Sequence, residues 1–401
     1  MKRTLILTIS IFTAFYLLSC KTKTTEQPAD LIDENIEFAA EQYSLQTALI
    51  EESGKILNPK SIIDGKMKYI NPQEWTSGFF PGSMWYLYEL TGDEKWKQFG
   101  IKYTEALDTV KYLTNHHDVG FMIGCSYGNG LRVAKNEAYK EVIVQAAKSL
   151  STRFHPQAGI IQSWNVDRGW QSERGWECPV IIDNMMNLEL LFDATKYSGD
   201  STLYKIAVTH ADKTIEHHFR EDYSTWHVID YSLADGSVRN KHTAQGFAHE
   251  STWARGQSWA IYGYTVCYRE TRDPKYLEQA EKAFEFVANH PNLPEDGVPY
   301  WDYNAPNIPN EKRDVSSASI MASALYELST YSKSEYYKGW ADKIMQSLSG
   351  TEYRANLGEN GNFILKHSVG SIPHGSEVDV PLNYADYYFL EALKRKRDLE
   401  K

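Results

Sequence analysis

Cysteine is scarce, with four in 401 residues. Cys20 ends an N-terminal apolar run, and Cys125, Cys178 and Cys267 are far apart in apolar stretches. That excludes a disulfide framework and predicts buried free thiols. Metal patterns are missing too. There are 12 histidines, but no HExxH and no Cys/His cluster, so neither a catalytic metal nor another cofactor is expected. Of the two His-His pairs, His116-His117 precedes an aspartate, and His217-His218 falls on an amphipathic helix and is expected at the surface. No Gly-rich phosphate loop follows a strand, and no GxSxG elbow occurs. Positive charge is in deficit: the net charge is −11, without a long basic run. A nucleic-acid partner is therefore not expected, and an anionic ligand would need a local cationic pocket. Beyond residue 20 no run is long and apolar enough to cross a membrane. Period-two alternation is rare, so strands should be minor.

The first twenty residues, "MKRTLILTISIFTAFYLLSC", have a basic start, an apolar core and then Leu17-Leu18-Ser19-Cys20. They read as a lipoprotein signal peptide, 1–20, with Cys20 becoming the lipidated N-terminus; the alternative is an uncleaved anchor. Residues 21–34 suit a flexible tether, and 35–401 form the catalytic domain. The expectation is an exported lipoprotein in the periplasm or outer membrane of a Gram-negative bacterium, held to the membrane only through its lipid.

The rest of the chain repeats one pattern. An apolar helix ends in a short Gly/Asp/Ser/Asn turn, and an amphipathic helix opened by an aromatic residue follows. The opening aromatics are Trp96, Tyr139, Tyr204, Tyr276 and Tyr336, and the apolar stretch "NYADYYFLEALKR" closes the chain. Helical hairpins recurring at roughly 45–70 residues predict an all-α protein, an (α/α)6 barrel of six hairpins. Apolar helices would line the inner ring and amphipathic ones the outer. An open solenoid has the same local pattern. The closing helix lacks a strongly polar cap and favours the barrel.

Counting back twenty-one residues from the first four aromatics reaches Trp75, Asp118, Asp183 and Arg255. Each stands in the loop leading into an inner helix. In a closed barrel such loops share one end, so these four side chains should converge although 180 residues (255 − 75) separate the extremes.

Asp183 sits inside "CPVIIDNMMNLELLFDA". A carboxylate in so apolar a run must cap a helix, pair, or stay protonated. Capping would explain one aspartate; a catalytic acid with a raised pKa would explain its company. Two carboxylates beside Trp and Tyr suit sugar chemistry, with one group delivering a proton. Arg255 adds a cation able to grip a substrate carboxylate. His117 and His227 read either as further donors or as satisfied structural residues.

The segments "WTSGFFPG", "HHDVGF", "IQSW", "IIDNMMNLELL", "TAQGF" and "WARGQSW" together resemble the unsaturated glucuronyl hydrolases, glycoside hydrolase family 88, over about residues 36–395. The resemblance implies an (α/α)6 barrel. It also implies hydrolysis of lyase-made oligosaccharides carrying a C4=C5 unsaturated uronic acid at the non-reducing end. Asp183 matches the family acid/base and Asp118 the second aspartate. Trp75, His117, Trp164, His227, Thr243, Gln245, Arg255 and Trp259 match substrate-contacting positions. Two features depart from some relatives. Ala244 stands where they have His, and in "SIPHGS" Ser371 is retained but Ser376 stands where those favouring sulfated glycosaminoglycan fragments have Lys. The expected partners are unsaturated uronate oligosaccharides of glycosaminoglycan type. Rhamnogalacturonan or ulvan fragments, or a lipid-anchored glycan-binding protein without turnover, are the alternatives.

Overall fold

The computed structural model describes residues 31–401. The expected signal peptide, Cys20 and residues 21–30 of the tether lie outside the described residues. The remaining tether residues are helical. Helix α1 (Leu31–Glu52) begins ahead of the expected boundary because Ile32, Ile36, Ala39 and Tyr43 form a buried face at helical spacing.

The chain continues through α2 (Phe79–Thr91), α3 (Glu94–Glu105), α4 (Val119–Ile123), α5 (Asn129–Ala134), α6 (Tyr139–Ser151), α7 (Leu188–Ser198) and α8 (Ser201–His218). Then come α9 (Ala254–Thr271), α10 (Pro274–Asn289), α11 (Val315–Leu328), α12 (Ser334–Leu348) and α13 (Asn383–Leu399). A π-turn, Gly124–Gly128, joins α4 and α5 into one inner element. The inner ring runs α2, α4–α5, α7, α9, α11, α13, each packed on the next. Helix α11 is buried along almost its whole length, whereas α10 buries one face through Tyr276, Ala280, Ala283, Phe284 and Val287. That contrast is the inner/outer distinction the sequence pattern carried.

The hairpin turns are sharp for a local reason. Gly92 and Gly199 end α2 and α7 in the left-handed region, at φ 71° and 74°. The next residues, Asp93 and Asp200, accept hydrogen bonds from the backbone N–H of Lys95 and Thr202 and start the outer helices. Of the opening aromatics, Trp96, Tyr139 and Tyr276 are buried. The fifth differs: Tyr336 is 42% exposed, and its neighbour Tyr337, fully buried, fills the place.

The ring closes. Tyr387 of α13 meets Phe79 and Tyr86 of α2 at centroid distances of 5.2 and 5.3 Å, which an open solenoid would not allow. The sixth hairpin is discontinuous in sequence. The outer partner of α13 is α1, tied to it by Tyr43 Oη donating to Asp386. The pattern of helix, turn and opening aromatic could not reveal this pair, since its halves are the two ends of the described chain.

Short strands occupy the loops that enter the inner helices. They are β1 (Asn58–Ile63), β2 (Lys66–Ile70), β3 (Phe154–His155), β4 (Ile160–Ile161), β5 (Cys178–Ile181), β6 (Val228–Tyr231), β7 (Val238–His242), β8 (Ser368–Ser371) and β9 (Ser376–Val380). They pair antiparallel as β1-β2, β3-β4, β5-β6-β7 and β8-β9. Cys125, Cys178 and Cys267 are buried free thiols. The second histidine pair departs from expectation. His218 is fully buried, its Nε2 3.1 Å from the Val180 carbonyl, because α8 packs against the chain that carries Asp183.

Candidate active site

The starts of the inner helices lie together, as their shared station requires. Sheet β5-β6-β7 then sets the register among distant loops. Ile181 pairs with Val228, and Val228 with His242. Asp183, His227 and Thr243 each lie just beyond those pairs and so emerge at one edge. Two close approaches hold this edge on the barrel. The Gly120 Cα in α4 abuts Asn187, whose Oδ1 accepts the Phe121 N–H at 3.0 Å; a Cβ at Gly120 would fall 2.4 Å from that oxygen. Gly263 in α9 makes equal room for Met185.

Asp183 caps nothing. It lies inside the 3-10 turn Ile182–Asn187, whose capping position is Ile181, and α7 starts from Asn187. The capping alternative therefore falls. Asp183 is 7% exposed, and its Oδ1 has no hydrogen-bond partner. Burial pushes its pKa up to about 7, with the Asp118 charge adding to the rise. Arg255 and the Trp259 indole N–H offset part of it, the indole without a well-formed hydrogen bond.

His227 faces Asp183, with Nε2 3.6 Å from Oδ1. Its Nδ1 accepts the backbone N–H groups of Ala244 and Gln245 at 3.1 and 3.2 Å, so the proton of the neutral ring resides on Nε2. Burial, then the Arg255 charge, holds the imidazole well below its ordinary pKa. His227 thus presents a neutral N–H toward the carboxyl.

Asp118 has the opposite electrostatics. Burial would raise its pKa, but His117, with Nε2 3.3 Å from Oδ1, and His116, with Nδ1 3.3 Å from Oδ2, hold it below the usual value. His117 is itself depressed by burial. The strand-like contact of His116 with Trp164, and of His117 N–H with the Ser163 carbonyl, brings the "HHD" and "IQSW" segments side by side. One carboxyl kept acidic beside one kept ionised is the arrangement acid–base chemistry needs.

Around this pair stand the other sequence-predicted residues. Trp75 packs on Phe121 and Tyr384 at 5.5 and 5.2 Å. Trp164 lies edge-on to His227 and stacks with Trp176. Gln245 donates to the Gly370 carbonyl, Thr243 Oγ1 accepts the Gly246 N–H, and Ser371 Oγ lies 2.7 Å from His374 Nδ1.

Arg255 and Trp259 are also buried. Arg255 is 1% exposed, and both Nη atoms bond to protein. Nη1 reaches Asp314 at 2.9 Å and the Val369 carbonyl, and Nη2 reaches the Gly370 carbonyl at 2.7 Å. Its Nε makes no hydrogen bond to protein. Trp259, fully buried, packs on Phe121 and Tyr388, and its indole N–H has no hydrogen-bond partner. Sequence reasoning missed Asp314, although counting back from Tyr336 reaches Val315, one residue away. It also missed Trp253, whose ring lies 4.5 Å from that of His227.

A cavity of about 980 Å³ occupies the other end of the barrel. Its charges are already matched: Arg269 pairs with Glu189, Glu270 and Glu327, and Arg395 with Glu327 and Glu391. None of the residues that converge on Asp183 lines it.

The chain is similar to known proteins along most of its length. The model of Glycosyl Hydrolase Family 88 matches residues 57–394. An unsaturated glucuronyl hydrolase of Formosa agariphila is 43% identical over 402 residues, covering 100% of this chain and 99% of that protein. The crystal structure of an unsaturated glucuronyl hydrolase specific for heparin matches with a TM-score of 0.87 at 43% identity, covering 93% of this chain and 98% of that one. A Streptococcus agalactiae unsaturated glucuronyl hydrolase mutant complexed with dGlcA-GalNAc6S matches with a TM-score of 0.76 at 28% identity, covering 91% of each chain. A closed double ring of helices and kinship along the described barrel lead to one assignment: this chain is a glycoside hydrolase and belongs to Glycosyl Hydrolase Family 88.

Proposed function

We propose that the protein removes the C4=C5 unsaturated uronic acid from the non-reducing end of lyase-generated, glycosaminoglycan-type oligosaccharides. The observation that carries this reading is Asp183, a nearly buried carboxyl with a pKa of about 7 and an unpaired oxygen facing a neutral His227. A site that only held sugar would gain little from a carboxyl kept protonated. The relatives named above for the same activity support the substrate class.

The chemistry is hydration of a vinyl ether. Asp183 gives its proton to C4, and water adds at C5, returning a proton to the Asp183 carboxylate. The resulting hemiketal breaks its C5–O5 bond as the C5 ketone forms. C1, now an open hemiacetal, expels the next sugar and becomes an aldehyde. Asp118, kept ionised by His116 and His117, accepts hydrogen bonds from the sugar hydroxyls and adds to the raised Asp183 pKa. Trp75 and Trp164 offer apolar faces to the ring, and His227 Nε2–H, Thr243, Gln245 and Ser371 supply polar contacts.

Mixing the protein with lyase-made disaccharides tests this directly. The ultraviolet absorbance of the unsaturated uronate should disappear, and its persistence with every fragment of a hyaluronan, chondroitin, heparin, ulvan and pectin panel would refute the reading. The same panel separates the glycosaminoglycan substrate from the other two polysaccharides. We further propose export as a lipoprotein on Cys20. Palmitate label should enter the wild-type protein and not Cys20→Ala, and equal labelling would refute it.

A further inference from the structure

A buried guanidinium takes the carboxylate that is nearest and best aimed, and Arg255 has two within its field. Its charge acts on Asp183 as well as on Asp314. Yet the ion pair forms with Asp314 alone, at 2.9 Å, between side chains 1% and 0% exposed. Asp183 Oδ1 receives no hydrogen bond, and Arg255 Nε donates none.

We propose that Asp314 is a positioning residue for the reaction: by anchoring Arg255 and matching its charge, it keeps Asp183 a carboxylic acid. This rests on the reading of Asp183 as the acid given above.

The geometry supports it from three sides. First, Asp314 cannot follow Arg255. It is the capping residue of α11, and its Oδ1 accepts the Ser316 N–H at 3.1 Å, the Ser316 hydroxyl at 2.6 Å and the Val369 N–H at 3.2 Å. Second, the Nη atoms of Arg255 are already engaged. Both Nη atoms turn toward Asp314 and the carbonyls of β8, with the guanidinium carbon 4.4 Å from the Trp253 ring centre. Third, the carbonyls of Val369 and Gly370 are dipoles, and the full opposing charge that contacts Arg255 is Asp314, while Glu377, beside Gly370, is paired with Lys60 and Lys68. The remaining charged or titratable groups facing Asp183 do not replace it. Asp118 from the α4 station is negative and opposes ionisation, His227 beside β6 is neutral, and Trp259 of α9 and Tyr384 of α13 carry no charge. With Asp314 neutralised, the Arg255 charge that acts on Asp183 is no longer matched by its ion-pair partner. A nearby opposite charge favours the ionised carboxylate by about 1–3 pKa units.

The test is the pH profile of kcat/KM. Wild type should lose activity as pH rises through the Asp183 pKa. In Asp314→Asn that alkaline limb should move to lower pH by about one unit or more, which adds roughly tenfold to the loss at pH 8. In Arg255→Gln/Asp314→Asn, which removes both charges, the limb should return to the wild-type position or above it. An Asp314→Asn limb at the wild-type pH would overturn the proposal whatever the fall in kcat, because a purely structural role lowers activity at every pH alike. Should Asp314→Asn not fold, Arg255→Gln and the double variant carry the comparison. The unpaired Asp314 charge of Arg255→Gln should place its limb higher than that of the double variant, and coincident limbs would overturn the proposal. Failure of the acid reading is separate, since it shows as near-normal turnover in Asp183→Asn.

Discussion

Asp183→Asn separates what the fold does to a carboxyl from what the carboxyl does to a substrate. An ordinary aspartate ionises near 3.8 and Asp183 at about 7. Each pKa unit corresponds to about 1.4 kcal/mol, so the fold opposes ionisation by on the order of 4 kcal/mol. The side chain is 9% exposed, so solvent screens little of this. The sign follows from linkage. In the unfolded chain the group ionises above about pH 4, while the folded one stays protonated until about 7. Wild type therefore loses this stability as pH rises from about 4 to about 7, and the loss is complete above the folded pKa. Asparagine ionises in neither state. The stability of Asp183→Asn relative to wild type should thus grow across that window, reaching on the order of 4 kcal/mol more at pH 8 than at pH 4. Turnover should fall by roughly 10²–10⁴ because no carboxylic proton remains. Thermal unfolding at the two pH values and loss of uronate absorbance measure both effects. A stability difference that stays constant with pH would refute the buried-acid account, and near-normal turnover would remove Asp183 from proton transfer.

Three further outcomes are expected. His227→Ala strips the acceptor from the Ala244 and Gln245 N–H groups and should cost about 1–3 kcal/mol, with at least about tenfold in kcat; an unchanged melting temperature would show that those N–H groups find other acceptors. Gly120→Ala forces a methyl to 2.4 Å from Asn187 Oδ1. It should destabilise by about 1–3 kcal/mol and lower activity by shifting Asp118 against Asp183, and wild-type behaviour in both assays would count against this contact as the spacer. In heavy water, deuterium should appear at C4 of the product and saturated uronides should be inert. Efficient cleavage of a saturated substrate would establish direct displacement instead.

Much was legible because it is periodic or local. The Gly-Asp turns after α2 and α7, and the apolar against amphipathic helices they join, are nearest-neighbour chemistry, so the hairpins can be read from the chain. Asp118 and Asp183 were legible because they occupy the same place in successive repeats. The exchange of Tyr336 for Tyr337 was not, because a one-residue rotation on a helix changes which ring meets the core without changing the pattern. Nor was the burial of His218, since the amphipathic pattern of α8 does not show that its last turn packs beneath β5.

The sequence by itself determined a ring of helical hairpins and one end of it where two aspartates, tryptophans and histidines gather. Repetition places equivalent residues equivalently, and that needs no contact to be known. Only the tertiary structure decided how each group is used. The sixth hairpin joins α1 to α13 across 330 residues (383 − 52 = 331 from the end of one to the start of the other, less the end points). Arg255 pairs with Asp314, a partner the repeat pattern did not point to. Burial raises the pKa of Asp183 while His117 and His116 lower that of Asp118, although both are aspartates at the same station. Protonation is set by desolvation and by nearby charges and donors, and those neighbours come from other repeats: Arg255 and Trp259 from α9, and Asp118 from the residue before α4. A residue's place in a repeat fixes where it points, and the field it meets there belongs to the closed barrel.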